Sequence, residues 1–309
     1  MEHDDDFFGC FKNTFPSLEM SGYLTGQKSH VSNGIARYFL YSVIITEALY
    51  CHALNGLFWG VHSDIFLPYI ETYATEQQKQ KWIPRCITGE TILALAMTKP
   101  AVGSDIARLT TTARREGDNF IVNGTKTFIS NGQLADLCIV AVRTSETGRP
   151  HDGISLILVE ADRKGYRRGA NLNKIGLHAQ DTSELFFDDC RVPIENLLGV
   201  EGCGFKYLME NLQQERLLLA IGACAAARGA FDVTLKYVKK RRAFGQTIGT
   251  FQNTRFSMAE MATKIQLARP FLDDLIPRHM AGDDIVSEVS MAKYWITDLQ
   301  FEVAHRCLQ

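Results

Sequence analysis

In this chain of 309 residues, the side chain best placed to do chemistry is Glu215, in the segment Asn211-Leu212-Gln213-Gln214-Glu215-Arg216-Leu217-Leu218-Leu219. At about 100° per residue, Leu208, Leu212, Glu215, Leu219 and Ala226 fall within an arc of roughly 60° on one helix face. A carboxylate therefore stands in an apolar stripe. Burial there disfavours its charged form and raises its pKa toward the range in which a general base works near neutrality. The same spacing also allows Glu215 to reach out of the stripe to an arginine, as a structural ion pair.

Two further segments carry polar chemistry. Ala94 to Asp105 reads as a strand running into a Pro/Gly turn, with Thr98 and Ser104 at its edges. Such a turn can present backbone N–H groups and hydroxyls to a phosphate or a heterocycle, or be an ordinary surface turn. The run Lys239-Lys240-Arg241-Arg242-Ala243-Phe244-Gly245 puts four cations and an aromatic at a helix end. Cations there suit the helix dipole as a solvated last turn; a clamp on a diphosphate, with Phe244 stacked on a base, would use the same residues. Neither segment matches G-x-G-x-x-G or a P-loop, and Gly202-Cys203-Gly204 lacks the third glycine and a preceding strand, so nicotinamide and ATP sites are unsupported. The histidines, His151 and His178 among them, show no metal-ligand spacing. Eight cysteines at irregular spacing, with no C-x-x-C, argue against structural zinc and a disulfide framework, and for a reducing compartment.

The elements that must position these groups follow from periodicity. Residues 1–34 show no clear period and read as loop. Ile35 to Phe58 and Asp64 to Tyr73 are apolar runs that read as core helices, and Thr75-Glu76-Gln77-Gln78 matches a capping box opening a short helix that Pro84 ends. The pattern switches after Gly89. Ile92 to Met97 is strand-like, and Asn119 to Ser130 places Asn123-Gly124 between two β-prone segments, a hairpin signal. Leu137 to Val142, Ile154 to Glu160 and Glu184 to Phe187 are further strands. Past Gly204, the runs Phe205 to Arg242, Gln252 to Pro270 and Ile285 to the end are helical.

Composition sets the outer bounds. Lys and Arg number 33 against 35 Asp and Glu, a formal charge of −2, so the basic excess that binding a phosphate backbone needs is lacking and nucleic acid is excluded as a partner. The proportions are those of a globular protein long enough for more than one domain. The apolar stretch Tyr38 to Ile45 soon meets Glu47, well short of the ~20 residues that cross a bilayer, so no membrane span is expected. The start, Met-Glu-His-Asp-Asp-Asp, is acidic where a secretory signal or mitochondrial presequence would be basic, and no targeting segment is visible.

Four motifs occur in order: Met97-Thr98-Lys99-Pro100-Ala101-Val102-Gly103-Ser104-Asp105, Phe128-Ile129-Ser130-Asn131-Gly132, Gln214-Glu215-Arg216-Leu217, and Arg241-Arg242-Ala243-Phe244-Gly245 followed by Gln252. With them, the chain from Tyr38 to Gln309 resembles the acyl-CoA dehydrogenases, closest to the long-chain and isovaleryl branches. The resemblance implies an α+β fold: an N-terminal helical domain at 1–93 with 1–34 atypical, a middle antiparallel β-barrel-like domain at 94–204, and a C-terminal helical bundle at 205–309. The chain stops at Cys307-Leu308-Gln309, where relatives continue into a Gly-rich turn and the last helices, so a partial chain with a truncated bundle is expected.

The resemblance also implies FAD, held between the β domain and the C-terminal helices. Leu95, Ala96, Met97, Thr98, Gly103 and Ser104 would contact it, with Met97 and Thr98 at the polar edge of the isoalloxazine ring and Ser104 toward the pyrophosphate and the acyl-CoA. Phe128 stands where many relatives have Trp against the flavin, with Ile129 beside it and the Ser130 hydroxyl near the reactive nitrogen. Arg241, Phe244 and Gln252 match residues that reach the FAD of a neighbouring subunit, which implies a dimer or tetramer. Glu215 takes the place of the catalytic base, and Arg216, Gln213 and Gln214 lie toward the substrate. The implied reaction is α,β-dehydrogenation of an acyl-CoA in fatty-acid or branched-chain catabolism, with an electron-transfer flavoprotein as acceptor. The implied location is the mitochondrial matrix in a eukaryote and the cytoplasm in a bacterium. A non-catalytic scaffold or assembly factor of this family is the alternative, and an acyl-CoA oxidase a lesser one. Lys99-Pro100-Ala101 departs from the family's Glu-Pro-Gly and reverses a charge beside the flavin.

Overall fold

Helix α1 (Val31–Cys51) opens the part of the chain described by the computed structural model, which covers residues 31–57, 59–100, 103–146 and 148–309. The loop expected over 1–34 thus lies outside the described residues except at 31–34, which are the first turn of α1. The helix expected to reach Phe58 stops at Cys51, because Ala53 turns the chain with φ +58°. A π-helical turn (Val61–Phe66) runs into α2 (Leu67–Tyr73), whose first turn holds Pro68 where no intrahelical N–H is needed. Helix α3 (Glu76–Thr88) starts at the expected capping box: the Gln78 N–H donates to Thr75 Oγ1 at 3.2 Å and the Thr75 N–H to Gln78 Oε1 at 2.9 Å.

Pro84 does not end α3, which continues to Thr88 and stops at Gly89 in the left-handed conformation, φ +76°. An interior proline costs ~3 kcal/mol. Burying a large apolar side chain gains about 1.5–3 kcal/mol, and Trp82 and Cys86, on either side of Pro84, are both buried. Tertiary packing overrides the local breaker.

Among the described residues eight strands follow: β1 (Leu93–Ala96), β2 (Thr112–Glu116), β3 (Asn119–Ser130), β4 (Leu137–Arg143), β5 (Ile154–Glu160), β6 (Tyr166–Asn171), β7 (Thr182–Pro193) and β8 (Leu197–Leu198). Their order is β6-β7-β3-β2-β4-β5-β8, with β1 added on β4. Pairing is antiparallel, as expected, except for β1–β4 and β2–β4, which are parallel. The β2–β3 hairpin supplies the crossover that brings β4 parallel to β1. Strands β4 and β5 are buried on both faces and split their side chains between two cores. Leu137, Ile139, Leu156 and Leu158 pack with Tyr69, Ile70, Trp82 and Leu208 from the helices. Cys138, Val140, Ile157 and Val159 pack with Phe120, Val122, Leu185 and Val192 inside the sheet.

The hairpin expected at Asn123-Gly124 is absent, and β3 runs straight through it as one strand. The pair forms a bulge against β7. Asn123 bridges Asp189 in both directions, its Nδ2 donating to Asp189 Oδ1 at 3.0 Å and its Oδ1 accepting from the Asp189 N–H at 2.9 Å. Gly124 has φ +142°, and a Cβ there would lie 2.8 Å from Thr111 Cα. The turn itself falls earlier, at Gly117-Asp118 between β2 and β3. Strands β2 and β6 escape sequence reading because arginines occupy their exposed faces, and β7 extends well beyond the expected Glu184 to Phe187.

Helix α4 (Gly204–Lys240) carries Glu215 and leads through a small hairpin, β9 (Arg242–Ala243) and β10 (Gln246–Thr247), to α5 (Gln252–Met280) and α6 (Val286–Leu308). Helix α5 passes Pro270, its expected end, because Leu272, Leu275 and Ile276 continue its buried face. By length and composition α4 is long and apolar enough to cross a membrane, a test that a buried core helix also passes, and over half of its most apolar window is buried inside the protein.

Candidate active site

Glu215 is buried on α4, and the Tyr69 hydroxyl of α2 donates to its Oε1 at 3.0 Å. Burial pushes the Glu215 carboxyl up to about 7, with the Tyr69 hydrogen bond and the Arg216 charge pulling the other way. Tyr69 is itself fully buried, and its phenol is driven far above the usual range by burial and by Glu215, so it remains a protonated donor. The apolar stripe alone does not account for the burial, since Leu219 on the same face is 43% exposed. The polar partner is a phenol, not an arginine: Arg216 Nη1 donates to Ser290 Oγ on α6 at 3.2 Å.

The neighbouring amides tie α4 into its surroundings. Gln213 closes the α5–α6 corner, accepting from the Ile285 N–H at 3.1 Å and donating to the Asp283 carbonyl at 3.1 Å and to His279 Nδ1 at 3.2 Å. Gln214 Nε2 donates to the Asp64 carbonyl in the π-helical turn at 2.8 Å.

A second group forms where β1 ends against β3. Lys126 Nζ donates to the Met97 carbonyl at 2.9 Å, the Thr127 N–H donates to the Thr98 carbonyl at 3.1 Å, and Thr98 Oγ1 donates to the Thr127 carbonyl at 2.5 Å. Phe128 follows with φ +58° and its ring 68% exposed. Asn131 Nδ2 donates to the Leu93 carbonyl at 3.0 Å and anchors the next turn. The side chains of Leu95, Ala96 and Ile129 are buried in the cores, so only their main chain can meet a ligand. Ser130 pairs across β7 with Thr182. Gly103 and Ser104 are exposed, while Ala101 and Val102 lie outside the described residues. Lys99 turns to Thr110 Oγ1 at 3.0 Å.

Arg241, Phe244 and Gln252 form a third group, all exposed. Phe244 has φ +52°, its ring is 94% exposed, and it meets Phe251 edge-on at 6.2 Å. Among the described residues no hydrogen bond, ion pair or ring contact joins this group to the β1–β3 segment. Sequence reading missed Tyr69 and Lys126. Tyr69 lies 146 residues from its partner, so no local signal marks it. Lys126 carries one signal, a cation within a β-prone run.

Three family profiles match in order: the acyl-CoA dehydrogenase N-terminal domain over residues 13–90, the middle domain over 94–190 and the C-terminal domain over 202–309. The long-chain specific acyl-CoA dehydrogenase, mitochondrial, of Mus musculus is 46% identical over 256 residues, 82% of this chain and 60% of its own length. The chain thus spans about three-fifths of that relative. A crystal structure of an acyl-CoA dehydrogenase from Geobacillus kaustophilus is similar with a TM-score of 0.86 and 46% identity, covering 100% of this chain and 87% of that one. A glutaryl-CoA dehydrogenase from Mycobacterium smegmatis, solved in complex with FADH2, is similar with a TM-score of 0.80 and 25% identity, covering 99% of this chain and 84% of that one. With helices, a central sheet and helices again in the same order, the chain belongs to the acyl-CoA dehydrogenase family.

Proposed function

We propose that the protein is an FAD-dependent acyl-CoA dehydrogenase that converts an acyl-CoA thioester to the trans-2-enoyl-CoA in fatty-acid or branched-chain catabolism. The observation that carries this reading is Glu215, a buried carboxyl pushed up to about 7 and held by one phenol. The residues suit a flavin. Phe128, a non-glycine residue in the left-handed region, keeps its ring in the open, where a planar heterocycle can stack on it. The Thr98 hydroxyl gives its proton to Thr127 and keeps its lone pairs for an N–H donor. The relative solved with FADH2 supports the same cofactor.

FAD, when bound, would supply the hydride acceptor. The main chain of Leu95, Ala96, Met97 and Thr98, with Phe128, Ile129 and Ser130, would hold its ring, and Gly103 and Ser104 the pyrophosphate side. Arg241, Phe244 and Gln252, all exposed, would serve a neighbouring copy, in a dimer or tetramer. Glu215 in its charged form takes the α-proton that the thioester has made acidic. The Tyr69 hydrogen bond engages Oε1 and leaves Oε2 for that proton. Arg216, Gln213 and Gln214, next to Glu215 in the chain, would lie toward the substrate. The reading includes the divisions 1–93, 94–204 and 205–309 and an electron-transfer flavoprotein as acceptor. It also includes a mitochondrial matrix location in a eukaryote and a cytoplasmic one in a bacterium.

Titration of the chain with FAD is expected to give stoichiometric uptake and a yellow protein that bleaches under acyl-CoA without oxygen. Absence of uptake would favour a scaffold, and peroxide formed in air an oxidase. Tyr69→Phe removes a hydrogen bond to the charged carboxylate. Because the base works only when charged, the rising limb of the bleaching rate against pH is expected to move upward by about one unit. An unmoved limb would show that the phenol does not tune Glu215.

A further inference from the structure

Lys126 has no accessible surface, yet it is a lysine. Burial and the nearby Lys99 charge bring its ammonium down to about 7, with only Cys138 opposing. A methionine of the same length would pack there without that penalty, so packing alone does not account for the residue.

Its partner is one particular atom. Nζ donates to the Met97 carbonyl at 2.9 Å. That carbonyl and the Thr98 N–H belong to the same peptide unit, which is planar and trans, so the two groups point in opposite directions. Drawing the carbonyl toward a buried amine turns the Thr98 N–H away from the core. The far side of the unit is fixed as well, because Thr98 is bonded twice to Thr127, at 3.1 Å and 2.5 Å. The next residue of β3 is Phe128, whose ring is exposed. An outward N–H and an exposed ring are therefore set by consecutive residues of one pair of segments.

We propose that Lys126 is a positioning residue: by holding the Met97 carbonyl inward, it aims the Thr98 N–H at the isoalloxazine ring. This rests on the flavin reading above. Lys126 touches no ligand and acts through the orientation of a single peptide.

The test is FAD titration of the 309-residue chain and of Lys126→Met, with the visible spectrum of the bound flavin and the thermal midpoint of the apoprotein. Lys126→Met is expected to weaken FAD binding at least tenfold and to shift the visible band, since one hydrogen bond to the ring is lost. The apoprotein midpoint is expected to stay or rise, because a buried amine has been removed. Lys126→Gln, too short to reach Met97, gives the same loss and serves if the methionine variant does not fold. A lysine with only a structural role would do the reverse, lowering the midpoint and leaving FAD affinity alone. Affinity within twofold of the parent in either folded variant overturns the proposal while the flavin reading stands. No uptake by the parent chain overturns both.

Discussion

Glu215→Gln is expected to keep the yellow colour and to lose bleaching by acyl-CoA, the rate falling about a thousandfold, within the 10²–10⁴ that a positioned general base contributes. The amide has nearly the shape of the carboxyl and still accepts from Tyr69, so the proposed flavin-binding segments, Leu95 to Thr98 and Phe128 to Ser130, are untouched. A second readout separates lost chemistry from lost structure. The carboxyl of Glu215 is raised from its ordinary 4.5 to about 7, so it is the charged form that burial penalises. That penalty is absent below about pH 4.5, accrues as pH rises toward 7 and is complete above it. Glu215→Gln should therefore melt above the parent at pH 8 and alongside it at pH 4. Bleaching at the parental rate would reassign the base, and equal melting at pH 8 would place the carboxylate in water.

Gly165→Ala is expected to cost the fold about 2–5 kcal/mol, from roughly 1–2 for a Cβ in the left-handed region and about 1–3 for overpacking. Gly165 has φ +90°, and a Cβ there would lie 2.2 Å from the Asp188 carbonyl oxygen and 3.0 Å from the Cys190 backbone. These are backbone atoms of the bulged strand β7 and cannot swing aside. The Gly165 carbonyl also accepts the Asp188 N–H at 2.9 Å, so any shift strains a hydrogen bond that holds the turn before β6 against β7. The thermal midpoint should fall on the order of 10 °C. Gly89→Ala is the control: φ is +76° but nothing lies within 4 Å of the added carbon, so only the conformational part of the cost applies. Equal losses in the two variants would remove the clash from the account.

How much could be read from the chain depended on the range of the forces involved. Ile154 to Glu160 was legible to the residue, because a strand buried on both faces is a continuous apolar run bounded by polar turns. The Thr75–Gln78 cap was legible because both hydrogen bonds join residues three apart. Asn123-Gly124 misled, because the same dipeptide suits a turn and a bulge, and the choice was made by Asp189 and Thr111 from other parts of the chain. Pro84 and Pro270 misled because their local cost was outweighed by burial on either side. The arginine-rich strands β2 and β6 were silent, since their order comes from neighbouring strands and not from their own pattern.

At the site the division is the same. Sequence by itself determined the kinds and order of the elements, a carboxylate within an apolar helical run at Glu215, and the four motifs that led to the family. These depend on neighbours within a few residues along the chain. Only the tertiary structure decided that Tyr69 holds Glu215, that Arg216 turns to Ser290, and that Lys126 grips Met97. The acidity of a carboxyl depends on how much water and which dipoles surround it, and those surroundings come from residues distant in sequence, assembled only when helix α2, the sheet and helix α4 pack together.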